Sequence, residues 1–229
     1  PDLRGHGESL TSRSGDEVDR ELFESEDYYA MVEDVQASVD YLRKTQKLNG
    51  TPIQLVGADV GGSAALLYAV DDSDVATLTL LSPGLMYDGV DTVDQVDAYG
   101  RRPLLIVVSM EDSYSAKSAD VLKDEARGVM HFQPYYGRGH GTKMINREPD
   151  LEPLLTSWLL GTFKTAEGIT LAEKMELQAQ DKGVGLTDTS GMAEEHRERA
   201  EQALKDEKRD EAEGGEAVEG SDDVPKRCD

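Results

Sequence analysis

Cysteine is nearly absent from this chain of 229 residues: the one present, Cys228, stands next to the last position. No intrachain disulfide can form, and a cysteine nucleophile in the core is excluded. No apolar run approaches about 18 residues, so the sequence contains no membrane-spanning segment. Basic residues are scarce, 24 against 47 acidic ones, which leaves a net charge of −23. That balance argues against nucleic acid or an anionic membrane as partner. From Glu194 onward there are 14 acidic and 7 basic residues, net −7, so −16 belongs to residues 1–193 and the acidity covers the folded part too. It reads as a solvated surface. The four histidines are scattered without ligand spacing, so no metal site is expected. A dinucleotide fingerprint is missing, and no cofactor is expected.

What is present is organised around Ile53–Tyr68, IQLVGADVGGSAALLY. A short apolar strand runs into a turn bracketed by Gly57, Gly61 and Gly62, and a helix rich in small residues follows. Asp59 sits at the apex. A turn this tight presses the helix start against the strand, so its flanks cannot carry bulk. The apex residue is expected to be held in a strained conformation that exposes its side chain. Asp59 equally reads as a cap for the helix beginning at Val60.

Around this stretch, strands and helices alternate. Residues 2–9, DLRGHGES, read as a tight loop in which Arg4 and Asp2 pair and His6 is structural. Residues 10–26 are polar loop. Asp27 is placed as the N-cap of a helix whose stripe is Met31, Val35, Val39 and Leu42, stopped by Asn49-Gly50 and Pro52. Val75–Leu81 and Leu104–Ser109 are continuous apolar strands of a parallel sheet. Residues 85–102 read as a polar connection, the one place for a cap. Helices are expected over Ser115–Ala126 and Leu151–Leu159, with a strand over His131–Tyr136 between them. Thr170 with Glu173 resembles a capping box opening a helix to about Gln180. Residues 181–191 read as linker, 192–213 as a charged helix and the last sixteen as disordered. The expected domains are a core over 1–163 and an acidic tail over 164–229. The alternation argues for an α/β fold with crossover helices.

The elbow resembles the G-x-nucleophile-x-G motif of the α/β-hydrolase family, with Asp where that family usually has Ser. Residues 2–9 are similar to its D-x-R-G-x-G-x-S segment. Ser82-Pro83-Gly84, Glu111–Ser115 and Gly137–Thr142 resemble pieces found in small, cap-poor hydrolases of the esterase and dienelactone-hydrolase kind. The resemblance covers roughly residues 2–160. It implies a mostly parallel sheet flanked by helices, missing its first strands, and an N-terminally truncated chain whose second oxyanion donor lies upstream of Pro1. It implies Asp59 as nucleophile, Asp112 orienting, His140 as general base and the Val60 N–H as an oxyanion donor, with Ala58 and Tyr87 beside the substrate. Asp112 also reads as an N-cap, and His140 as a plain loop residue.

A carboxylate suits displacement at an alkyl carbon better than acyl transfer, where attack would form an anhydride and set a negative charge beside the developing oxyanion. Haloalkane dehalogenases and epoxide hydrolases of this fold use that chemistry, with a helical cap that supplies Trp or Tyr donors. Here the cap position is short, Trp158 lies on the C-terminal helix, and Tyr87 and Tyr99 are the nearest donors. Three functions follow. One is a hydrolase of a small ester-like or alkyl substrate through Asp59, Asp112 and His140. Another has His140 activating water with Asp59 assisting. The third is an inactive member with a binding or structural role. A soluble, cytoplasmic protein is the expectation. Nothing in the sequence fixes an oligomeric state.

Overall fold

A computed structural model describes residues 1–137 and 139–180. The expected linker, charged helix, disordered end and Cys228 lie outside the described residues, as does Arg138. Among the described residues no helix is long and apolar enough to cross a membrane.

Four strands make one parallel sheet. They are β1 (Ile53–Ala58), β2 (Val75–Leu81), β5 (Leu104–Ser109) and β6 (Met130–Tyr135), in the order β1-β2-β5-β6. β2 and β5 match the expected bounds because continuous burial on both faces leaves a continuous apolar run. In β5, Leu104, Ile106 and Val108 face one side of the sheet while Leu105 and Val107 face the other. The first side is covered by α1 (Ser25–Asp40), α2 (Val60–Asp71), α3 (Val93–Tyr99) and α4 (Ser113–Glu125). The second is covered by α5 (Leu151–Leu159) and α6 (Leu171–Gln180), whose Trp158 and Leu171 are fully buried with Met144. Packing therefore continues past residue 163. The expected capping box is present: the Thr170 N–H donates to Glu173 at 2.7 Å, and the Glu173 N–H to the Thr170 hydroxyl at 3.2 Å.

Several local expectations are corrected. Helix α1 begins at Ser25, not after Asp27. Glu24 is its N-cap, and Asp27 is the third helical residue, reaching back to the Glu24 N–H at 3.0 Å. Residues 85–102 are not a plain polar connection. They form a hairpin of β3 (Met86–Tyr87) and β4 (Val90–Asp91), followed by α3. Val93, Val96 and Tyr99 recur every third residue and bury one face, which the polar residues between them hide from a composition reading. Arg4 does not pair with Asp2. It holds Asp34 of α1 through two nitrogens, both at 2.9 Å, and Glu33 at 3.0 Å, while Asp2 accepts the Glu8 N–H. Tyr99 is no donor to the site: it is buried next to the amino end of β5, where its hydroxyl donates to the Pro103 carbonyl at 3.0 Å, while the site lies at the carboxyl ends of the strands.

Candidate active site

In a parallel sheet with crossover helices, the loops leaving the carboxyl ends of neighbouring strands meet in one crevice. Here β1 is followed directly by Asp59 and β2 by Ser82, while the loops after β5 and β6 carry Asp112 and His140. Four adjacent strand ends thus bring together residues that are far apart in sequence.

Asp59 has φ 55° and ψ −134°, a left-handed backbone that costs a non-glycine residue about 1–3 kcal/mol. The Asp59 N–H still pairs with β2, donating to the Leu81 carbonyl at 3.0 Å, and the turn is closed by the Gly62 N–H donating to the Asp59 carbonyl at 2.8 Å. A Cβ on Gly57 would lie 2.5 Å from the Gly61 carbonyl oxygen and 2.6 Å from Gly62 Cα. Glycine is therefore obligatory at 57. The expectation is too strict at Gly61, where a Cβ would meet only Leu3 at 3.7 Å. Asp59 heads α2, yet its side chain makes no capping hydrogen bond. The carboxylate is turned to His140 instead, with Oδ2 3.4 Å from Nε2.

The other ring nitrogen, His140 Nδ1, lies 2.6 Å from Asp112 Oδ2. The N-cap reading of Asp112 holds alongside this contact, because its other oxygen accepts the Ser115 N–H at 3.2 Å and caps α4. Asp112 is the most enclosed of the three, at 16% side-chain exposure against 41% for His140 and 46% for Asp59. Burial pushes the Asp112 carboxyl up, but hydrogen bonds from His140 and Ser115 outweigh it and hold it below the usual carboxylate range. His140 is pushed up to about 10, first by its hydrogen bond to Asp112, then by the one to Asp59.

The His140 loop is fastened to the sheet by two serines to which the sequence reading assigns no role in the site. The buried Ser82, itself at φ 50°, accepts the Gly141 N–H through Oγ at 2.8 Å. Ser109 Oγ donates to the Gly137 carbonyl at 2.5 Å. Gly141, at φ 53°, passes over the elbow close enough that a Cβ there would touch Ala58 at 3.5 Å.

Asp59, Ala58, Val60 and His140 line one cavity of about 660 Å³. Tyr87 stands beside it with its ring edge toward the imidazole, centroids 6.3 Å apart. Its hydroxyl points into the wall, donating to the Ser82 carbonyl at 3.2 Å and meeting Ser115 Oγ at 2.9 Å. Among the other residues lining the cavity are His6, Arg20 and Lys143; His6 is expected from the sequence to be structural, and Arg20 falls in a stretch read as polar loop without a motif. Among the described residues no group of three or more His, Cys, Asp or Glu side chains is arranged to hold a metal ion.

A family model described as "Alpha/beta hydrolase family" matches residues 1–201. No curated protein sequence matches the chain. Among solved structures, a lipase-esterase related protein from Clostridium acetobutylicum superposes with a TM-score of 0.52 at 14% identity, over 68% of this chain and 81% of that one. An esterase from Exiguobacterium antarcticum gives 0.45 at 18% identity, over 68% and 78%. The esterase domain of a Rhodothermus marinus protein gives 0.39 at 20% identity, over 45% and 57%, so this chain spans little more than half of that relative's length. At 14% identity the likeness to the Clostridium acetobutylicum protein is one of fold.

Proposed function

This chain belongs to the α/β-hydrolase family, and on that premise we propose that it is a hydrolase of alkyl electrophiles whose nucleophile is the Asp59 carboxylate. The observation that carries the proposal is the placement of His140 between two carboxylates, with Asp59 giving up its helix cap to reach it. An imidazole held up to about 10 is protonated at neutral pH and cannot take a proton from water. That disfavours direct water activation in the resting enzyme. Displacement by Asp59 needs no base.

An Asp59 oxygen attacks the alkyl carbon. A C–O bond forms, the bond to the leaving group breaks, and a halide departs with the electron pair. Asp59 is now a neutral ester, so one of the two groups that raise His140 is gone, its proton affinity falls and the imidazolium gives up its Nε2 proton to solvent, the proton that leaves with the halide. His140, oriented by Asp112, takes a proton from water as the water oxygen adds to the ester carbonyl carbon. We assign the Val60 N–H, at the start of α2, as the donor to the oxygen that becomes negative. Collapse expels the alkoxide, which takes the proton from His140; the second hydrogen of the water remains on the Asp59 carboxyl and passes to His140, which restores the carboxylate and the imidazolium. The sum is an alkyl halide and water giving an alcohol and hydrogen halide.

The test is a single-turnover comparison of the parent with His140→Gln on a primary bromoalkane. His140→Gln is expected to release about one halide per chain, to carry the alkyl group on the Asp59 peptide by mass spectrometry, and to turn over at least ~100-fold more slowly than the parent. Turnover by the parent with no adduct in the variant would rule out the carboxylate as nucleophile. A parent inert toward halides, epoxides and esters alike would favour the inactive reading.

A further inference from the structure

One wall of the cavity that holds Asp59 and His140 has no part in this chemistry. It comes from the loop before α1 and carries His6 and Arg20. Arg20 Nη1 lies 3.2 Å from His6 Nε2. The other nitrogen of that ring, Nδ1, meets the Arg4 carbonyl at 2.9 Å. A carbonyl only accepts, so Nδ1 carries the hydrogen and Nε2 is the acceptor for Arg20. Arg4 is itself fixed to Asp34 of α1. A chain of contacts from a helix thus aims an exposed guanidinium at the cavity.

This guanidinium is in an unusual position for so acidic a protein. Arg4 and Arg43 each hold carboxylates at 2.9 and 3.0 Å. Arg20, in a chain with 47 acidic residues, has the His6 ring and no carboxylate partner among the described residues. An arginine so placed has donors left over, and its planar fork matches a carboxylate through two parallel hydrogen bonds.

We propose that Arg20, steadied by His6, anchors a carboxylate on the substrate, so that the alkyl electrophiles this site takes are ones that carry a carboxylate away from the reacting carbon. The proposal rests on Asp59 as nucleophile for its chemistry, but the anchor itself is a binding property. A monoanion fits better than a dianion such as a phosphate monoester. Asp59 and the hairpin residue Asp88 stand in the same field: the Asp88 carboxyl is pushed up by burial and then by Asp59, with Arg20 pulling the other way. A second negative charge on the ligand would meet that repulsion, which adds to the cost of a dianion beside Asp59 even with Arg20 and Lys143 both on the cavity wall.

The experiment has a binding arm and a turnover arm, both on the full chain at constant ionic strength. Propionate and its neutral isostere propionamide are titrated into the parent, Arg20→Gln and Arg20→Lys, following the His6 and His140 ring protons by NMR. The parent is expected to bind propionate at least about tenfold more tightly, Arg20→Gln to bind the two alike, and Arg20→Lys to keep part of the preference. Equal binding by the parent, or a preference that survives Arg20→Gln or is lost in Lys143→Gln instead, overturns the anchor. In the turnover arm, short ω-chlorocarboxylates are compared with primary chloroalkanes of matching length. A lower KM for the acids, abolished in Arg20→Gln with kcat little changed, supports the proposal. If neither series turns over while the propionate preference holds, Asp59 is not the nucleophile for such substrates and the anchor stands.

Discussion

At the scale of single residues, the site is a question of where charge sits. His140 has its proton affinity raised from 6.5 to about 10 by carboxylates on both ring nitrogens. A histidine raised in the folded state contributes stability that is complete below about 6.5 and is lost as pH climbs through about 10. Thermal unfolding of the parent should therefore fall in Tm across that window, and His140→Gln should show a flatter profile. Parallel profiles would mean that the two ion pairs add nothing to stability. Asp112 works in the opposite sense, since its carboxyl is held down: its share is present above the ordinary carboxylate range and disappears in acid. Replacing Asp59 removes one of the two charges on His140. Asp59→Ser should thus lower the proton affinity of the imidazole, place a hydroxyl where the carboxylate was, and gain p-nitrophenyl ester hydrolysis that the parent lacks. Failure of Asp59→Ser to hydrolyse any such ester would show that the oxyanion side of the crevice does not serve acyl transfer.

At the scale of elements, the site depends on two joints. The first is the elbow. Gly57→Ala would force its Cβ into the Gly61 carbonyl at 2.5 Å, and the clash is with backbone, which cannot swing aside. The expected cost is about 1–3 kcal/mol of stability with loss of turnover, because Asp59 moves with the turn. Gly61→Ala, which meets only ordinary contact, is the control that should leave stability nearly unchanged. The second joint is Ser82, which takes the Gly141 N–H. Ser82→Ala leaves that buried donor unpaired, an expected cost of about 1–3 kcal/mol, and frees the loop that carries His140. Turnover of Ser82→Ala is then expected to fall through kcat. These joints also show how much was legible. The elbow, β2, β5 and the positions of Asp59, Asp112 and His140 could be read because buried strands are continuous apolar runs and tight turns demand glycine. Ser82, His6 and Arg20 were not read as parts of the site. Their roles come from contacts to residues 59, 2 and 14 positions away, and no local periodicity encodes those. Likewise α3 was missed because its polar residues conceal a half-buried helix.

At the scale of the whole molecule, the dominant fact is the net charge of −23. Self-repulsion of that size opposes the compact state and is screened over about 10 Å at 0.1 M salt. Tm at neutral pH should therefore rise as salt is added from low ionic strength; a flat or falling Tm would mean that local ion pairs outweigh the overall field. The same charge has a bearing on β1. Among the described residues that strand is hydrogen-bonded to β2 on one side only, and Val56 on it is 43% exposed. An open strand edge is a template on which a second chain can lay its own backbone. What keeps two such templates apart is long-range repulsion, and it vanishes near the isoelectric point of about 4.4. Acid is then a colloidal hazard for this protein before it is a denaturant: light scattering should rise as pH approaches that point while the sheet is still folded.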